Sequence, residues 1–380
     1  MRFPYRREVL MLLLLALLVP ATSFSAAVSA SAIGTVSLQR ETFNPTAGET
    51  VDLAATFRKA GRASVRVVDR DGFVVRTIAA SQPVQGSCSF HWDGRDDGGR
   101  PVADEAYAFR IEWADAKSHE LWFPADRPSM PVSISPRYFD RRSGTLAYTL
   151  PRASRVHIQA GTAVFDAQGK AIDGPVLKTI VNREPRSGGM IAEHWNGFDD
   201  RGGVFVADLD GFAVSIAAAP FAEGTVIAFG NHERTFVAEA ANRRGASLFS
   251  RKHAASEHHG GLTTLDDVSP SLRVEPLNAT WSATERAWVV RGDTVRLRLS
   301  LSGPTADAFA RQPSRIHRFI NGRRIGETVP VGRIVEVPLH HDGSVQKVSI
   351  NWRSEWGPLA TDTIRARRAD VATAASRGAR

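Results

Sequence analysis

Runs in which apolar and polar residues alternate recur along this chain. They include AYAFRIEW at 106–113, GFAVSI at 211–216 and TVRLRLSL at 294–301. Large apolar residues occupy every second position in each run, which is typical of a strand buried on one face. Turn sequences rich in glycine and aspartate separate the runs, and few stretches show helical spacing. The pattern predicts an all-β fold built from antiparallel sandwiches.

One motif occurs twice, as HWDGRDDGG at 91–99 and as HWNGFDDRGG at 194–203. The flanking segments correspond in order as well, because each copy has a proline, a polar turn and a strand before the motif and another strand after it. The copies lie within 40–115 and 134–220. This length is near that of a small sandwich domain and exceeds that of a solenoid repeat.

Turn chemistry explains the motif locally. A strand ends at the tryptophan, whose ring would close one end of the core. Aspartate or asparagine before glycine makes a tight turn, since glycine adopts positive φ and the side-chain oxygen bonds nearby N–H groups. The asparagine of the second copy keeps this chemistry without a charge. The predicted structural positions are Trp92, Asp93, Gly94, Asp96, Gly98 and Tyr107 in the first copy, and Trp195, Asn196, Gly197, Asp199, Gly202 and Phe212 in the second.

The pattern W-(D/N)-G-x-D-D-x-G, between an apolar and an aromatic strand, resembles the Ig-like domain of the flagellar hook-capping protein. The resemblance implies tandem Ig-like β-sandwiches, of a kind used as modules of exported bacterial envelope proteins, in which the motif is structural. A missing glycine before Tyr107 and the asparagine at position 196 depart from the family pattern, and both affect loops. A shared fold by itself says little about function.

The domain organisation follows from these patterns. We predict a signal peptide at 1–30, a first sandwich with its connector at 31–125, a second sandwich at 126–230, a polar linker at 231–275, a divergent third sandwich at 276–366 and a basic disordered tail at 367–380. The third sandwich lacks the motif, but Asn321-Gly322 is a strong hairpin signal. The segment TVIAFG at 225–230 is interpreted as the last strand of the second sandwich, and a short helix is expected near FVAEAANR in the linker.

The first thirty residues combine arginines, an apolar run and small residues, which is the three-part pattern of a secretory signal peptide. The apolar run is shorter than the ~20 residues of a membrane-spanning helix, so we expect no transmembrane anchor after cleavage. We therefore expect an exported protein of the periplasm or cell surface. The formal net charge is +8, but aromatic residues are not interleaved with the basic ones, so nucleic acid is not an expected partner.

The aspartate-rich turns leave calcium binding as an alternative. The weak candidate ligands are Asp93, Asp96, Asp97, Asp199 and Asp200. The acidic order of an EF-hand is absent, so hydrated turn residues are the favoured interpretation. The loop histidines His232, His253, His258 and His259 lack a regular metal-binding spacing, and Cys88 is the sole cysteine. We predict no metal site and no cofactor.

Motifs for nucleophilic, metalloprotease or phosphate-loop chemistry are absent from the sequence. The sequence therefore favours a non-enzymatic scaffold, spacer or protein-interaction subunit whose partner is an unidentified envelope protein or polysaccharide. An alternative is an envelope carbohydrate-binding or polysaccharide-processing accessory protein, which aromatic residues exposed on one sheet face would favour. A flagellar hook-capping protein is the least favoured alternative, because members of that family are exported without a cleaved signal peptide.

Overall fold

The computed structural model describes most of the chain after residue 30. The described residues are 31–126, 129–135, 137–165, 171–172, 174–242, 263–327, 329–330 and 334–369. The predicted signal peptide at 1–30, the histidines His253, His258 and His259, and positions 370–380 of the predicted tail lie outside the described residues. Strands dominate the described elements and pair into sandwiches, which confirms the predicted all-β fold of tandem Ig-like antiparallel β-sandwiches. Within the described ranges, no helix has the length and apolar character needed to cross a bilayer.

The first sandwich forms around two long antiparallel strands that continue through both of its layers. Its strands are β1 (Ile33–Leu38), β2 (Thr42–Phe43), β3 (Val51–Val68), β4 (Val74–Trp92), β5 (Glu105–Ala114) and β6 (His119–Trp122). Strand β3 pairs with β1, β4 and β5. The predicted alternation in β5 is confirmed, because Tyr107, Phe109 and Trp113 are each at most 1% exposed. On the opposite face of β5, Arg110 and Glu112 form an ion pair of 2.7 Å.

Residues 225–228 complete the first sandwich and not the second, so the prediction for this segment is wrong. They form β16 (Thr225–Ala228), which pairs antiparallel with β5 and parallel with β2. Val226 packs in the core of the first sandwich, whereas Ile227 packs against Phe221 and Ala153 of the second. A strand that is covered on both faces is apolar at successive positions, and this explains why alternation did not assign the segment.

The second sandwich has two main layers and a small hairpin. Its strands are β7 (Val132–Ser133), β8 (Arg137–Asp140), β9 (Thr145–Leu150), β10 (Ser154–Thr162), β11 (Val164–Phe165), β12 (Ala171–Ile172), β13 (Val176–Arg186), β14 (Gly189–His194) and β15 (Phe212–Pro220). One layer has the order β13-β10-β15-β7 and the other has the order β14-β9-β8. Between them lies a core that includes Leu146, Ile158, Trp195 and Ile216. Strands β11 and β12 pair antiparallel with each other and form the small hairpin.

The third sandwich has its own core and no tryptophan motif. Its strands are β17 (Ser271–Pro276), β18 (Ala279–Ser282), β19 (Ala287–Val290), β20 (Thr294–Ser302), β21 (Ser314–Ile320), β22 (Arg323–Arg324), β23 (Val329–Pro330), β24 (Ile334–Pro338), β25 (Gln346–Ser354) and β26 (Leu359–Arg368). The alternation in β20 is confirmed, since Val295 and Leu297 are buried and Arg296 is exposed. The hairpin turn between β21 and β22 is confirmed by φ values of 49° at Asn321 and 84° at Gly322.

Both ends of the third sandwich extend beyond the predicted limits. Strand β17 lies in the predicted linker and pairs with β20, because Leu272 and Val274 alternate toward the core. Arg367 and Arg368, predicted as tail, belong to β26 and pair with β19. The linker also contains the expected short helix, α1 (Phe236–Asn242), and a second helix, α2 (Thr264–Asp267). A third helix, α3 (Ala306–Ala310), follows β20.

Candidate functional site

The first tryptophan motif closes one end of its sandwich. Trp92 ends β4 and is 1% exposed. Its ring meets those of Phe43, Tyr107 and Phe109 edge-on, with centroid separations of 5.3, 5.5 and 6.1 Å. The indole Nε1 donates to the carbonyl oxygen of Arg95 at 3.0 Å, so the buried N–H group has a partner. The ring therefore packs the core and fixes the start of the following turn.

That turn depends on one side-chain oxygen and one glycine. Oδ1 of Asp93 accepts a hydrogen bond from the backbone N–H of Arg95 at 3.1 Å. Gly94 has a φ of 71°, and a Cβ atom at this position would lie 2.3 Å from Cβ of Pro45. Both the left-handed backbone and the close approach exclude a side chain here.

The second copy repeats this arrangement atom for atom. Nε1 of Trp195 donates to the carbonyl oxygen of Phe198 at 2.8 Å, and Oδ1 of Asn196 accepts from the N–H of Phe198 at 3.0 Å. Gly197 has a φ of 81°, and a Cβ atom there would lie 2.4 Å from the ring of Phe205. The turn uses one acceptor oxygen in each copy, so aspartate and asparagine serve equally.

The two copies differ in the second turn of the motif. The left-handed glycines of this turn are Gly99, with a φ of 77°, and Gly202, with a φ of 65°. The prediction named Gly98 in the first copy, but its backbone lies outside the left-handed region. Gly98 and Arg201 each precede the left-handed glycine and are therefore equivalent. The position that is glycine in the first copy is thus occupied by a long cationic side chain, that of Arg201, in the second.

The acidic turn residues bond to groups of the protein itself. Asp96 accepts from the backbone N–H and guanidinium of Arg100, Asp97 from the N–H of Thr77, Asp199 from the N–H groups of Gly203 and Val204, and Asp200 from the amine of Lys178. Burial raises the pKa of Asp199, and its two backbone hydrogen bonds act against that shift. Among the described residues, no group of three or more His, Cys, Asp and Glu side chains could hold a metal ion.

Among the described residues, the other reactive groups that the sequence singled out do not assemble a site. His232 is exposed in the connection before α1. Cys88 lies in β4, half-buried against the first core. Nδ1 of His91 lies 2.8 Å from Oδ1 of Asp52, and both side chains are exposed on the sheet surface. Well-hydrated pairs of this kind lack the apolar pocket that general acid–base chemistry requires.

Five charged side chains meet where the first two sandwiches contact α2. This junction cluster consists of Arg70, Glu105, Arg155, Arg183 and Asp267. Oε1 of Glu105 accepts from Arg155 at 2.7 Å, and Oε2 of Glu105 lies 3.8 Å from Nη1 of Arg70. Oδ2 of Asp267 accepts from Arg70 at 2.9 Å, and its Oδ1 lies 3.1 Å from Nε of Arg183. All of these side chains except Arg183 are at most 8% exposed.

The carboxylates and guanidinium groups stabilise one another against the cost of burial. Burial raises the pKa of Glu105, but the charges of Arg155 and Arg70 outweigh this effect, so its pKa lies below the usual value. Burial and then the charge of Arg155 lower the pKa of Arg70, while Glu105 and Asp267 act in the opposite direction. Removing one partner from such a cluster leaves an uncompensated buried charge. The cluster therefore favours one arrangement of the segments that contribute to it.

Further hydrogen bonds and a ring contact reinforce the same junction. The β3–β4 turn supplies Asp71, whose Oδ1 accepts from both the N–H and the hydroxyl of Thr264 in α2, at 2.8 and 2.7 Å. The guanidinium of Arg155 lies 5.4 Å from the centre of the Phe221 ring, within the range of a cation–π interaction. Asn182 of β13 donates to the carbonyl oxygen of Ser269 at 3.1 Å. The segment that leads into the third sandwich is thus bound to both preceding sandwiches.

A second joint connects the second and third sandwiches through the motif loop. Nε of Arg201 donates to Oδ1 of Asp362 in β26 at 2.7 Å, and its Nη2 donates to the carbonyl oxygen of Val274 at 2.7 Å. Burial raises the pKa of Asp362, and the hydrogen bond and charge of Arg201 act against that shift. Beside this contact, Asn351 exchanges two hydrogen bonds with the backbone of Val176, of 3.0 and 2.8 Å. We call the Arg201–Asp362 contact the loop clamp.

Sequence patterns did not identify the residues of either joint. Arg70 and Arg201 lie in segments that were interpreted as ordinary polar turns, and such turns are normally solvated. Arg155 lies on the face of β10 opposite the core, where a charged residue is expected. Contacts with neighbouring parts of the chain bury Arg70 and Arg155, whereas the Arg201 side chain stays 33% exposed at its joint. The one available signal was the arginine in DDRGG, which stands where DDGG has Gly98.

Comparisons with known proteins agree with the fold of the first sandwich. Residues 42–117 match the family model of the FlgD Ig-like domain. Among curated proteins, none matches this chain. Similar solved structures include the fibronectin(III)-like modules of Clostridium thermocellum CbhA, with 9% identity, a TM-score of 0.18, and coverage of 88% of this chain and 94% of that one. A tetra-tandem repeat in the extending region of a large adhesion protein has 13% identity, a TM-score of 0.19, and coverage of 89% and 75%. The N-terminal four Ig domains of Dscam1 isoform 8.4 have 10% identity, a TM-score of 0.20, and coverage of 88% and 73%.

Proposed function

We propose that this protein is an exported, non-enzymatic spacer of the bacterial envelope, in which three Ig-like sandwiches form one rigid body that holds its partners at a fixed separation. Tandem Ig-like sandwiches are suited to protein interaction and scaffolding, since their edge strands and end loops are free to contact other molecules. The partner is an envelope protein or polysaccharide.

The junction cluster is the observation that carries this proposal. Domains joined by a bare linker move relative to each other, and interdomain contacts are usually small and polar. Here Glu105 of the first sandwich and Arg155 of the second are buried against each other, and Asp267 pairs with Arg70 and Arg183. Breaking these contacts would leave charges unpaired away from water. A protein that gains from flexible joints would have little use for such a cluster.

Export is supported by the pattern of residues 1–30, with basic residues, an apolar run and small residues in signal-peptide order. The absence of an enzymatic role is supported by the acidic turn residues, because their side-chain oxygens accept hydrogen bonds from donors of the protein's own turns and strands. The family match at 42–117 supports a structural role for the first sandwich.

A combined localisation and scattering experiment tests the proposal. The full chain with a C-terminal tag is expressed in a Gram-negative host, the periplasm is separated from the cytoplasm, and the N-terminus of the periplasmic product is sequenced. We expect a mature chain that begins after Ala30 or Ala32. Small-angle X-ray scattering of this product should show a single compact particle whose profile is unchanged between low and moderate salt. Retention in the cytoplasm would contradict export, and a profile typical of flexibly linked modules would contradict the rigid spacer.

A further inference from the structure

A cavity of ≈370 Å³ lies between the motif loop of the second sandwich and the third sandwich. Its lining includes the backbone of 202–203 on one side and Trp281, Trp288, Arg286 and Arg365 on the other. This volume is within the range of ligand-binding pockets, which are typically about 300–1,000 Å³. The loop clamp stands at its edge, so the second and third sandwiches together form its walls.

The two tryptophans form an aromatic corner. Trp281 and Trp288 are directly opposite each other on β18 and β19, with ring centroids 5.5 Å apart and planes inclined at 66°. Trp288 packs against the third core, whereas Trp281 is 51% exposed. A cross-strand aromatic pair stabilises a hairpin by less than about 1 kcal/mol, which a smaller pair could also supply. Large rings left exposed beside a cavity are typical of a binding surface.

The same cavity has an excess of positive charge. Within the described part of the chain, the guanidinium groups of Arg286 and Arg365 have no hydrogen bond or ion pair. Arg286 has a φ of 50°, a conformation that costs a residue with a side chain about 1–3 kcal/mol and occurs often at ligand sites. Burial and then the charge of Arg365 lower the pKa of Lys347, its neighbour on β25, and the charge of Asp210 acts in the opposite direction.

We infer that this cavity binds an acidic sugar residue of a polysaccharide. The aromatic corner provides flat apolar faces for the C–H face of a sugar ring, and the guanidinium groups suit a carboxylate or phosphate, which they can bind in a bidentate manner. A peptide would instead add to the edge strand β18, which has four residues and gives little length for pairing. The inference rests on the proposed function in that it specifies the polysaccharide partner, whereas the rigid arrangement of the three sandwiches does not depend on it.

Titration of the mature full chain tests this site, with intrinsic tryptophan fluorescence and calorimetry as readouts. The probes are oligogalacturonate as the carboxylate source, mannose 6-phosphate as the phosphate source, neutral galacto-oligosaccharide of equal length and oligoglutamate of equal charge. We expect saturable binding of at least one acidic sugar, at least tenfold tighter than binding of the neutral oligomer. Which of the two acidic probes binds identifies the anionic group.

Matched variants locate the site. Trp281→Ala and the double variant Arg286→Asn/Arg365→Ala should each weaken binding at least tenfold; asparagine is chosen because it tolerates the left-handed conformation. Trp281→Phe, which keeps a ring, should retain affinity within about threefold, and the remote exposed Trp356→Ala should change it less than twofold. Thermal unfolding of each variant confirms that it is folded.

The inference is overturned if neither acidic sugar binds, if the neutral oligomer or oligoglutamate binds as tightly, or if folded Trp281→Ala binds like the parent. Scattering that shows a flexible chain with intact sugar binding would contradict the spacer proposal alone.

Discussion

The two copies of the tryptophan motif build the same turn and use it for different purposes. In both, the indole N–H group donates to the carbonyl oxygen of the residue three positions later, and the N–H group of that same residue donates to the side-chain oxygen of the aspartate or asparagine. In the first copy the loop bonds to itself, since Asp96 pairs with Arg100. In the second copy Arg201 reaches out of the loop to Asp362 of the third sandwich.

This comparison separates what the motif must conserve from what it can change. The tryptophan ring, the acceptor oxygen and the left-handed glycines determine the turn. The residue before Gly99 or Gly202 can vary, because the turn does not depend on its side chain. Placing arginine there makes the turn part of a domain joint. The central claim is therefore that the tryptophan motif closes each of the first two sandwiches, and that charged side chains at the two joints fix the three sandwiches relative to each other.

Removing the tryptophan ring should have the largest effect and should affect both copies alike. Trp92→Ala and Trp195→Ala each leave a cavity among aromatic neighbours, for which the expected cost is about 3–5 kcal/mol. Hydrogen exchange of the full chain should show that the loss of amide protection is confined to the sandwich that carries the substitution. As a control, the exposed Trp356→Ala should cost less than about 0.5 kcal/mol. A much smaller loss of stability for Trp195→Ala than for Trp92→Ala would mean that the two tryptophans do not stabilise their sandwiches equally.

Neutralising the junction cluster should have the next largest effect. Glu105→Gln leaves Arg70 and Arg155 buried without their shared carboxylate, at an expected cost of about 3 kcal/mol at neutral pH. Because the pKa of Glu105 is lower folded than unfolded, its contribution exists above the unfolded pKa and is lost as pH falls through the folded one. The stability of the parent should therefore decline more steeply in acid than that of the variant. Denaturant midpoints measured from neutral to acid pH provide the check, and parallel curves would exclude this role for Glu105.

How far the sequence predicted this molecule depends on where each residue lies. Alternation located strands such as β5 and β20, because one face of each meets a core. It misassigned β16, which is covered on both faces, and it placed β17 in a linker. The turn chemistry of Trp92 and Trp195 was predictable because it is local. The burial of Glu105 and Arg155 was not, since it arises when two sandwiches meet and leaves no periodic signature.

Exchanging the residues that precede the left-handed glycine of the second turn, Gly98 and Arg201, should have an intermediate effect on stability. The effect should be larger in the second loop than in the first. Arg201→Gly removes the charged hydrogen bonds to Asp362, and a loss of about 2 kcal/mol is expected between the second and third sandwiches. The reverse change, Gly98→Arg, adds an exposed side chain where φ is not left-handed, but its Cβ would lie 3.2 Å from Oδ1 of Asp96, so a cost of less than about 1 kcal/mol is expected. Chemical unfolding monitored by domain-resolved hydrogen exchange measures both. Equal effects of the two changes would contradict the loop clamp.

Exchanging the acceptor residues should have the smallest effect. Asp93→Asn and Asn196→Asp keep the side-chain oxygen that caps each turn, so each should change stability by less than about 0.5 kcal/mol. Thermal unfolding with calcium and with chelator should give the same midpoint for parent and variants. A midpoint that rises with calcium in the parent and not in Asp93→Asn would instead assign an ion to the first turn.

The distance between the first and third sandwiches tests the central claim most directly. In a Cys88→Ser background, spin labels at the exposed positions Ser37 and Arg353 report this distance by pulsed electron resonance. The account predicts one narrow distribution for the parent and a broadened one for the double variant Glu105→Gln/Arg201→Gly. A broad distribution in the parent, or one that the double variant leaves unchanged, would contradict a rigid body held by these charges.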